Sequence, residues 1–228
     1  MNQELIINST PNEVVIALLN DKRLVELHRE KSNTQFAVGD IYLGKAKKVM
    51  TGLNAAFIDV GYEKDAFLHY LDLGPQANSL FKYVDAVRSG KQNVSNLMYF
   101  KNEGDIDKDG KINEAVKPGQ YVLVQVAKEP ISSKGPRITT EISIAGRYIV
   151  LIPFSDKVSV SSKIRSSEEK SRLKALIQSI KPKNFGVIIR TVAEGKSVAD
   201  IEGDVADLVS KWDTCFKALQ TAEPPFKL

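Results

Sequence analysis

The stretch from Leu53 to His69, LNAAFIDVGYEKDAFLH, constrains the fold more than any other part of this 228-residue chain. Small and apolar residues on both sides of a polar turn at Gly61 predict two strands joined in a tight hairpin. Pairing across that turn would bring Phe57 and Phe67 side by side. The stretch therefore predicts an antiparallel sheet that carries two neighbouring phenylalanines.

These two phenylalanines have two alternative roles. In the first, both pack inside a small β-barrel, since buried phenylalanine is the commoner case. In the second, both lie on an open sheet face, where bases of a single-stranded nucleic acid stack on them at roughly 1–3 kcal/mol per base. Several lysines near the stretch would suit an acidic partner; they are Lys45, Lys47, Lys48, Lys64, Lys128 and Lys134. The residues alone leave both roles open.

Composition and charge are those of an ordinary globular protein, with 43% hydrophobic and 26% charged residues. The net charge of +4 permits RNA as a partner without requiring it. The single cysteine, Cys215, excludes a disulfide framework within the chain and a cysteine metal cluster, and it favours a cytoplasmic setting. No signal-peptide pattern and no apolar run of about 20 residues occurs, so we expect no membrane span.

Short predicted strands precede and follow the hairpin. Three β-like segments between residues 4 and 30 predict an antiparallel meander, which is too small to fold by itself. Further strands are predicted at 40–50 and 120–126, whereas residues 70–116 are polar and are expected to be irregular. This arrangement fits a five-stranded oligonucleotide-binding barrel, which binds nucleic acid on one open face.

The region after Pro136 is predicted to alternate short strands with two helices. The helices begin at Ser166 and Ser197, each followed three residues later by an acidic residue, as in a capping box. The second helix carries an apolar stripe that includes Trp212, so this tryptophan is predicted to lie in the core.

The acidic segment Asp105–Val116, DIDKDGKINEAV, matches the first half of a calcium-binding loop. Its twelfth position is Val116 instead of a bidentate acid, and Glu114 comes two residues too early. A calcium site and a solvated acidic turn are the two alternatives, and the missing ligand favours the turn.

Arg190 and Thr191 follow an apolar predicted strand and precede the helix that begins at Ser197. A guanidinium fork, a hydroxyl and nearby backbone N–H groups suit a phosphate. The alternative is an ion pair between Arg190 and an acidic side chain such as Glu194. No nucleophile–base pair or magnesium site is recognisable, so the sequence offers binding residues and no catalytic centre.

Five segments of the chain resemble the N-terminal half of the bacterial ribonuclease E/G family, and its ribonuclease G branch in particular. They are ELIINST, DIYLGKAKKV, LNAAFIDVGYEKDAFLH, ISIAGRYIVLIP and GVIIRTVAEGKS. The resemblance implies a β-rich α+β fold of several subdomains. Residues 1–36 resemble the first part of a ribonuclease-H-like subdomain, left incomplete, to which the chain begins to return at 218–228. Residues 37–135, with an insertion at 76–113, resemble an S1-type OB-fold domain, and residues 136–217 an α/β 5′-sensor subdomain.

The resemblance also implies roles for particular residues. Those expected to contact RNA on the barrel are Phe57, Phe67, Lys128 and Lys134. Those expected to form a pocket for a 5′-monophosphate are Gly146, Val150, Lys163, Arg190 and Thr191. The family often has a second arginine where this chain has Ser162, so Lys163 would supply charge there without the planar fork.

The function implied by the resemblance is RNA binding and 5′-end sensing within a magnesium-dependent endoribonuclease, a hydrolase of rRNA processing and RNA decay. We expect the magnesium-binding aspartates and the cysteines of the family's zinc link to lie beyond this chain, which would then bind RNA without cutting it. The expected partner is single-stranded RNA, preferably 5′-monophosphorylated, with no DNA or membrane partner and with homo-oligomers only in the full-length enzyme. The alternative is a free-standing S1-type RNA-binding module without nuclease activity.

Overall fold

The computed structural model of the chain describes residues 2–11, 13–31, 36–131 and 134–228. The chain forms two compact units, Met1–Ala37 and Val38–Leu228. None of the described helices is long and apolar enough to cross a membrane.

The first unit is an antiparallel three-stranded sheet. Its strands are β1 (Gln3–Ser9), β2 (Glu13–Asn20) and β3 (Arg23–Lys31), and they lie in the order β1-β2-β3. Asp21 and Lys22 connect the last two strands with φ angles of 47° and 66°, the left-handed backbone that a two-residue hairpin turn requires. The predicted meander is confirmed.

The second unit contains a closed five-stranded barrel. Its strands are β4 (Ile41–Met50), β5 (Ala55–Asp59), β6 (Ala66–His69), β7 (Tyr121–Lys128) and β8 (Arg137–Thr139). The strand order is β4-β5-β6-β8-β7, and β7 pairs again with β4 to close the barrel. Among the described pairings of the barrel strands, only that of β6 with β8 is parallel. The predicted five-stranded barrel is confirmed, and its topology is consistent with an OB fold.

The prediction that residues 70–116 are irregular is wrong, because helix α1 spans Ala77–Arg88. Its buried residues include Leu80, Tyr83, Val84 and Val87, which have the spacing of an amphipathic helix. No side chain caps its first turn at Gln76, so the helix lacks the polar start signal that marks the two later helices. A single turn, α2 (Ile112–Ala115), follows before β7.

A mixed four-stranded sheet with two helices makes up the rest of the unit. Its strands are β9 (Ile144–Ala145), β10 (Ile149–Pro153), β11 (Val158–Val160) and β12 (Phe185–Ile189), and the helices are α3 (Ser167–Ile180) and α4 (Val198–Thr221). The strands lie in the order β11-β12-β10-β9. Both helices begin at the predicted serine caps. The last strand, β13 (Phe226–Lys227), pairs with β4 of the barrel.

Trp212 of α4 lies at the centre of the core and is 2% exposed. Its ring centroid is 5.5 Å from that of Tyr83 in α1, and 6.0 Å from those of Phe154 and Phe185. Its indole N–H donates to the carbonyl of Ser95 at 2.9 Å. The predicted core position of Trp212 is confirmed. The buried cluster that contains it also includes Leu43 and Leu123 of the barrel, so barrel and sheet share one continuous core.

Candidate nucleic-acid interface

Phe57 and Phe67 are directly opposite each other on β5 and β6. Their ring centroids are 5.7 Å apart and the rings meet edge to face at 69°. The flanking residues Ile58 and Leu68 are fully buried, whereas both phenylalanines are only half-buried. Because side chains alternate across a strand, the two rings lie on the outer face of the barrel. The alternative that places them in the core is therefore wrong.

The two rings line an open depression of about 620 Å³ on the barrel surface. Its other lining residues are Lys64, Asp65, Lys134, Gly135 and Arg137. On β6, the ring of His69 lies 6.3 Å from Phe67 and is tilted by 34°, which extends the aromatic surface beyond the predicted pair. The depression thus combines ring faces for stacking with cations for phosphates.

Not every cation at this depression is equally available to a ligand. Arg137 donates two hydrogen bonds to Asp72, at 2.9 and 2.8 Å, which raise the pKa of its guanidinium. Lys64 and Lys134 are exposed, and neither forms an ion pair within the described part of the chain. Lys128 lies at the end of β7 and does not line the depression. Sequence reasoning thus placed Lys134 at the depression and missed Arg137.

Lys47 binds the two carboxylates beside the hairpin. Its ammonium lies 3.0 Å from Asp59 and 3.0 Å from Asp65. The hydrogen bond to Asp59, which has the larger effect, and the hydrogen bond to Asp65 both raise the pKa of Lys47. Burial opposes ionisation of Asp59, but the hydrogen bonds from Lys47 and from the N–H of Gly61 bring its pKa below the usual value. This lysine therefore neutralises carboxylates that would otherwise repel a phosphate backbone near the rings.

A second depression, of about 490 Å³, lies at the end of β12. It is lined by Ser161, Ser162, Lys163, Ile188, Ile189, Arg190, Thr191 and Val192. The hydroxyls of Ser161 and Thr191 are 2.9 Å apart and hydrogen-bonded to each other. Three of the predicted phosphate-binding residues, Lys163, Arg190 and Thr191, thus come together from separate parts of the chain.

Gly146 and Val150 do not line this depression, but Gly146 contacts Arg190, which does. The Arg190 guanidinium donates to the carbonyl of Gly146 at 2.6 Å. Among the described residues, no carboxylate forms an ion pair with Arg190, so the alternative pairing with Glu194 is not formed. Val150 is half-buried on β10 and pairs with Ile188 on β12.

Asp204 of α4 fixes the loop that contains Gly146, and no local signal in the sequence identifies it. Its carboxylate accepts hydrogen bonds from the backbone N–H groups of Arg147, Tyr148 and Ile149, at 3.0, 2.8 and 3.0 Å. A Cβ atom at residue 146 would lie 2.6 Å from each carboxylate oxygen. Glycine is therefore required at 146 because the carboxylate lies against the backbone.

Glu169 ties helix α3 to the loop that follows Thr191. It accepts two hydrogen bonds from Arg172, both at 2.7 Å, and one from the N–H of Gly195 at 2.9 Å. These bonds, with Arg172 as the larger cause, lower the pKa of Glu169 to about 2. Arg172 also donates to the carbonyl of Lys196 at 3.1 Å. The loop beside the second depression is thus held by an ionised carboxylate.

The acidic segment is folded by local hydrogen bonds. A side-chain oxygen of Asp107 accepts from the N–H of Asp109 at 3.0 Å, and its carbonyl accepts from the hydroxyl of Tyr70 at 2.5 Å. Within the described ranges, no three His, Cys, Asp or Glu side chains come together as a metal site.

Cys215 is buried, which raises the pKa of its thiol to about 12.

Taken together, these features define an α+β protein built on an OB-type barrel that presents an aromatic hairpin. The family model described as "Ribonuclease E/G family" matches residues 143–228. Ribonuclease G of Haemophilus influenzae is 38% identical over 209 residues, which cover 92% of this chain and 39% of that protein. Ribonuclease G of Escherichia coli K12 is 33% identical over 228 residues, which cover 100% of this chain and 43% of that protein.

Ribonuclease E of the cyanobacterium Nostoc sp. is 34% identical over 212 residues, which cover 92% of this chain and 27% of that protein. The chain belongs to the ribonuclease E/G family. It spans about two fifths of the length of the ribonuclease G relatives that it matches.

Proposed function

We propose that this chain is the RNA-binding and 5′-monophosphate-sensing part of a ribonuclease G/E-type endoribonuclease of rRNA processing and RNA decay. In this proposal residues 37–135 act as an S1-type domain and residues 136–217 as the 5′-sensor. Residues 1–36 and 218–228 belong to a ribonuclease-H-like subdomain. The observation that carries the proposal is the outward-facing pair Phe57–Phe67 within a cation-lined depression.

The barrel would hold a single strand by stacking and by charge. The half-exposed faces of Phe57 and Phe67 offer surfaces for bases, and His69 lengthens that surface. Lys64 and Lys134 would neutralise phosphates at the same depression, which makes binding salt-dependent. Stacking on rings accepts every base, so this surface would bind RNA with little sequence preference.

The second depression would distinguish 5′ ends by charge. A 5′-monophosphate carries a charge of about −1.5 to −2 at pH 7 and three acceptor oxygens, whereas a 5′-hydroxyl is neutral. Arg190 has five N–H donors, and one hydrogen bond to Gly146 leaves others for the phosphate. The hydroxyl of Thr191 and the ammonium of Lys163 would add a donor and a charge.

Catalysis, in this proposal, belongs to the whole enzyme, in which residues of other segments would hold magnesium and the bound ion would supply activation of water for phosphodiester attack. Among the described residues, no three His, Cys, Asp or Glu side chains come together as a metal site. In this proposal the chain by itself binds RNA and leaves it intact.

The experiment is a fluorescence anisotropy titration of the chain with a short single-stranded RNA labelled at its 3′ end. Phe57→Ala is expected to weaken binding about tenfold, since one stacked base is worth roughly 1–3 kcal/mol. Leu71→Ala is the matched control, because Leu71 is 74% exposed and does not line the depression. Equal affinity of wild type and Phe57→Ala would contradict the proposed barrel surface. The same samples with magnesium are expected to keep the RNA at full length.

A further inference from the structure

A third depression, also of about 490 Å³, lies beside Arg190. It is lined by Arg147, Tyr148, Arg190, Val192 and Lys196. Arg190 and Val192 line both this depression and the one that contains Thr191 and Lys163. The two depressions therefore adjoin, and one strand could occupy both.

The positive charges of the third depression are available to a ligand. Arg147 is exposed and Lys196 is half-exposed, and within the described ranges neither forms an ion pair. The nearby carboxylates are engaged in other bonds. Asp204 accepts from three backbone N–H groups, and Asp200 accepts from the hydroxyl of Ser197 at 2.6 Å.

Arg147 and Lys196 lie near the same helix start although they come from different loops. The pKa of Asp200, in the first turn of α4, is lowered mainly by hydrogen bonds from Ser197, with smaller contributions from Lys196 and Arg147. Arg147 also lies over the ring of Tyr148, its guanidinium carbon 5.3 Å from the ring centroid. This contact limits the freedom of the side chain and points to a preformed site.

We propose that Arg147 and Lys196 form a second phosphate subsite, which binds the first internal phosphodiester of an RNA whose 5′-phosphate is held by Arg190 and Thr191. This proposal rests on the proposed function. A guanidinium and an ammonium suit a singly charged phosphodiester, and the shared wall at Arg190 places the subsite next to the terminal phosphate. The subsite strengthens binding of any strand and does not read the terminal group itself.

The test compares wild type with the double variant Arg147→Gln/Lys196→Gln in anisotropy titrations at several salt concentrations. The RNAs are identical single strands with a 5′-monophosphate or a 5′-hydroxyl. The double variant is expected to bind the monophosphorylated strand more weakly, with the slope of log affinity against log salt reduced by about 0.7, the contribution of one phosphate on a single strand. The control Lys174→Gln/Lys183→Gln removes the same charge from exposed positions outside the depression and is expected to leave the slope unchanged.

Short competitors separate the subsite from the terminal pocket. A 5′-phosphorylated dinucleotide is expected to compete less well against the double variant than against wild type, whereas a nucleoside 5′-monophosphate competes equally well against both. If wild type prefers the monophosphorylated strand but the double variant has the same salt slope as wild type, the subsite alone is overturned. If the nucleoside monophosphate no longer competes against the double variant, the subsite is also overturned, because Arg147 and Lys196 would then bind the terminal phosphate. A wild type without any 5′ preference would instead overturn the proposed function.

Discussion

The guanidinium of Arg190 donates a hydrogen bond of 2.6 Å to the carbonyl of Gly146, although the two residues are 44 positions apart. The Gly146 carbonyl fixes one edge of the planar guanidinium group of Arg190. The remaining N–H groups are thereby oriented, and no carboxylate in the described part of the chain pairs with them and competes with a phosphate for the same donors. A loop held in place by Asp204 provides that carbonyl.

Gly146→Ala is expected to destabilise the fold by at least about 2 kcal/mol and to weaken discrimination between 5′ ends. The added Cβ would lie 2.6 Å from both carboxylate oxygens of Asp204, and moving the carboxylate breaks charge-assisted hydrogen bonds. Urea unfolding followed by the fluorescence of Trp212 measures the change. Gly203→Ala is the control, because its Cβ meets nothing within 4 Å and alanine favours the helix. Equal stability of both variants would contradict this account.

Glu169 is expected to stabilise the fold at neutral pH and to lose that effect in acid. Its pKa in the folded chain is about 2, against 4.5 as the ordinary value, so its contribution is complete above 4.5 and is lost as the pH falls toward 2. Glu169→Gln should therefore lower the free energy of unfolding by about 1 kcal/mol at pH 7, because solvent screens the Glu169–Arg172 pair. Near pH 2 the substitution should leave the free energy of unfolding unchanged.

The measurement for Glu169 is urea unfolding of wild type and variant across that pH range. Glu202→Gln, an exposed change on α4, is the control and should track wild type at every pH. A difference between Glu169→Gln and wild type that stays constant down to pH 2 would show that the carboxylate charge is not the cause.

Asn184 is expected to be a stability determinant of the core. It is buried, has a φ of 63°, and donates from its side chain to the carbonyls of Leu97 and Phe100 at 2.7 and 2.9 Å. Asn184→Ala leaves both carbonyls without this donor and adds left-handed strain, for a loss of roughly 2–4 kcal/mol. Asn184→Gly removes the same bonds without the strain. The unfolding temperature should be highest for wild type, lower for Asn184→Gly and lowest for Asn184→Ala. Equal unfolding temperatures of the two variants would exclude left-handed backbone strain as a cause of the loss.

Local sequence signals predicted the parts of the fold that depend on near neighbours. The turn at Gly61 predicted that Phe57 and Phe67 would pair, and the serines at 166 and 197 marked the starts of α3 and α4. Helix α1 was missed because its apolar spacing has no polar cap before it. Whether the phenylalanines face inward or outward depends on barrel closure by β7 and β4, which no local pattern specifies.

The candidate sites needed tertiary structure for the same reason. Asp204 contacts a loop more than 50 residues earlier in the chain. Arg147 and Lys196 share a depression only because β10 and β12 are neighbours. Such pairings arise from packing, and a single sequence contains no local signal for them.

The most direct test of the central claim is the ratio of affinities for the same single-stranded RNA with a 5′-monophosphate and with a 5′-hydroxyl. Wild type is expected to prefer the monophosphate by about tenfold or more, as charge-assisted hydrogen bonds to one phosphate would give. Arg190→Ala should reduce the ratio to about one, and Arg190→Lys should give an intermediate value because it keeps the charge without the fork. Equal binding of both RNAs by wild type, or an unchanged preference in Arg190→Ala, would contradict 5′-end sensing and leave a simple RNA-binding module.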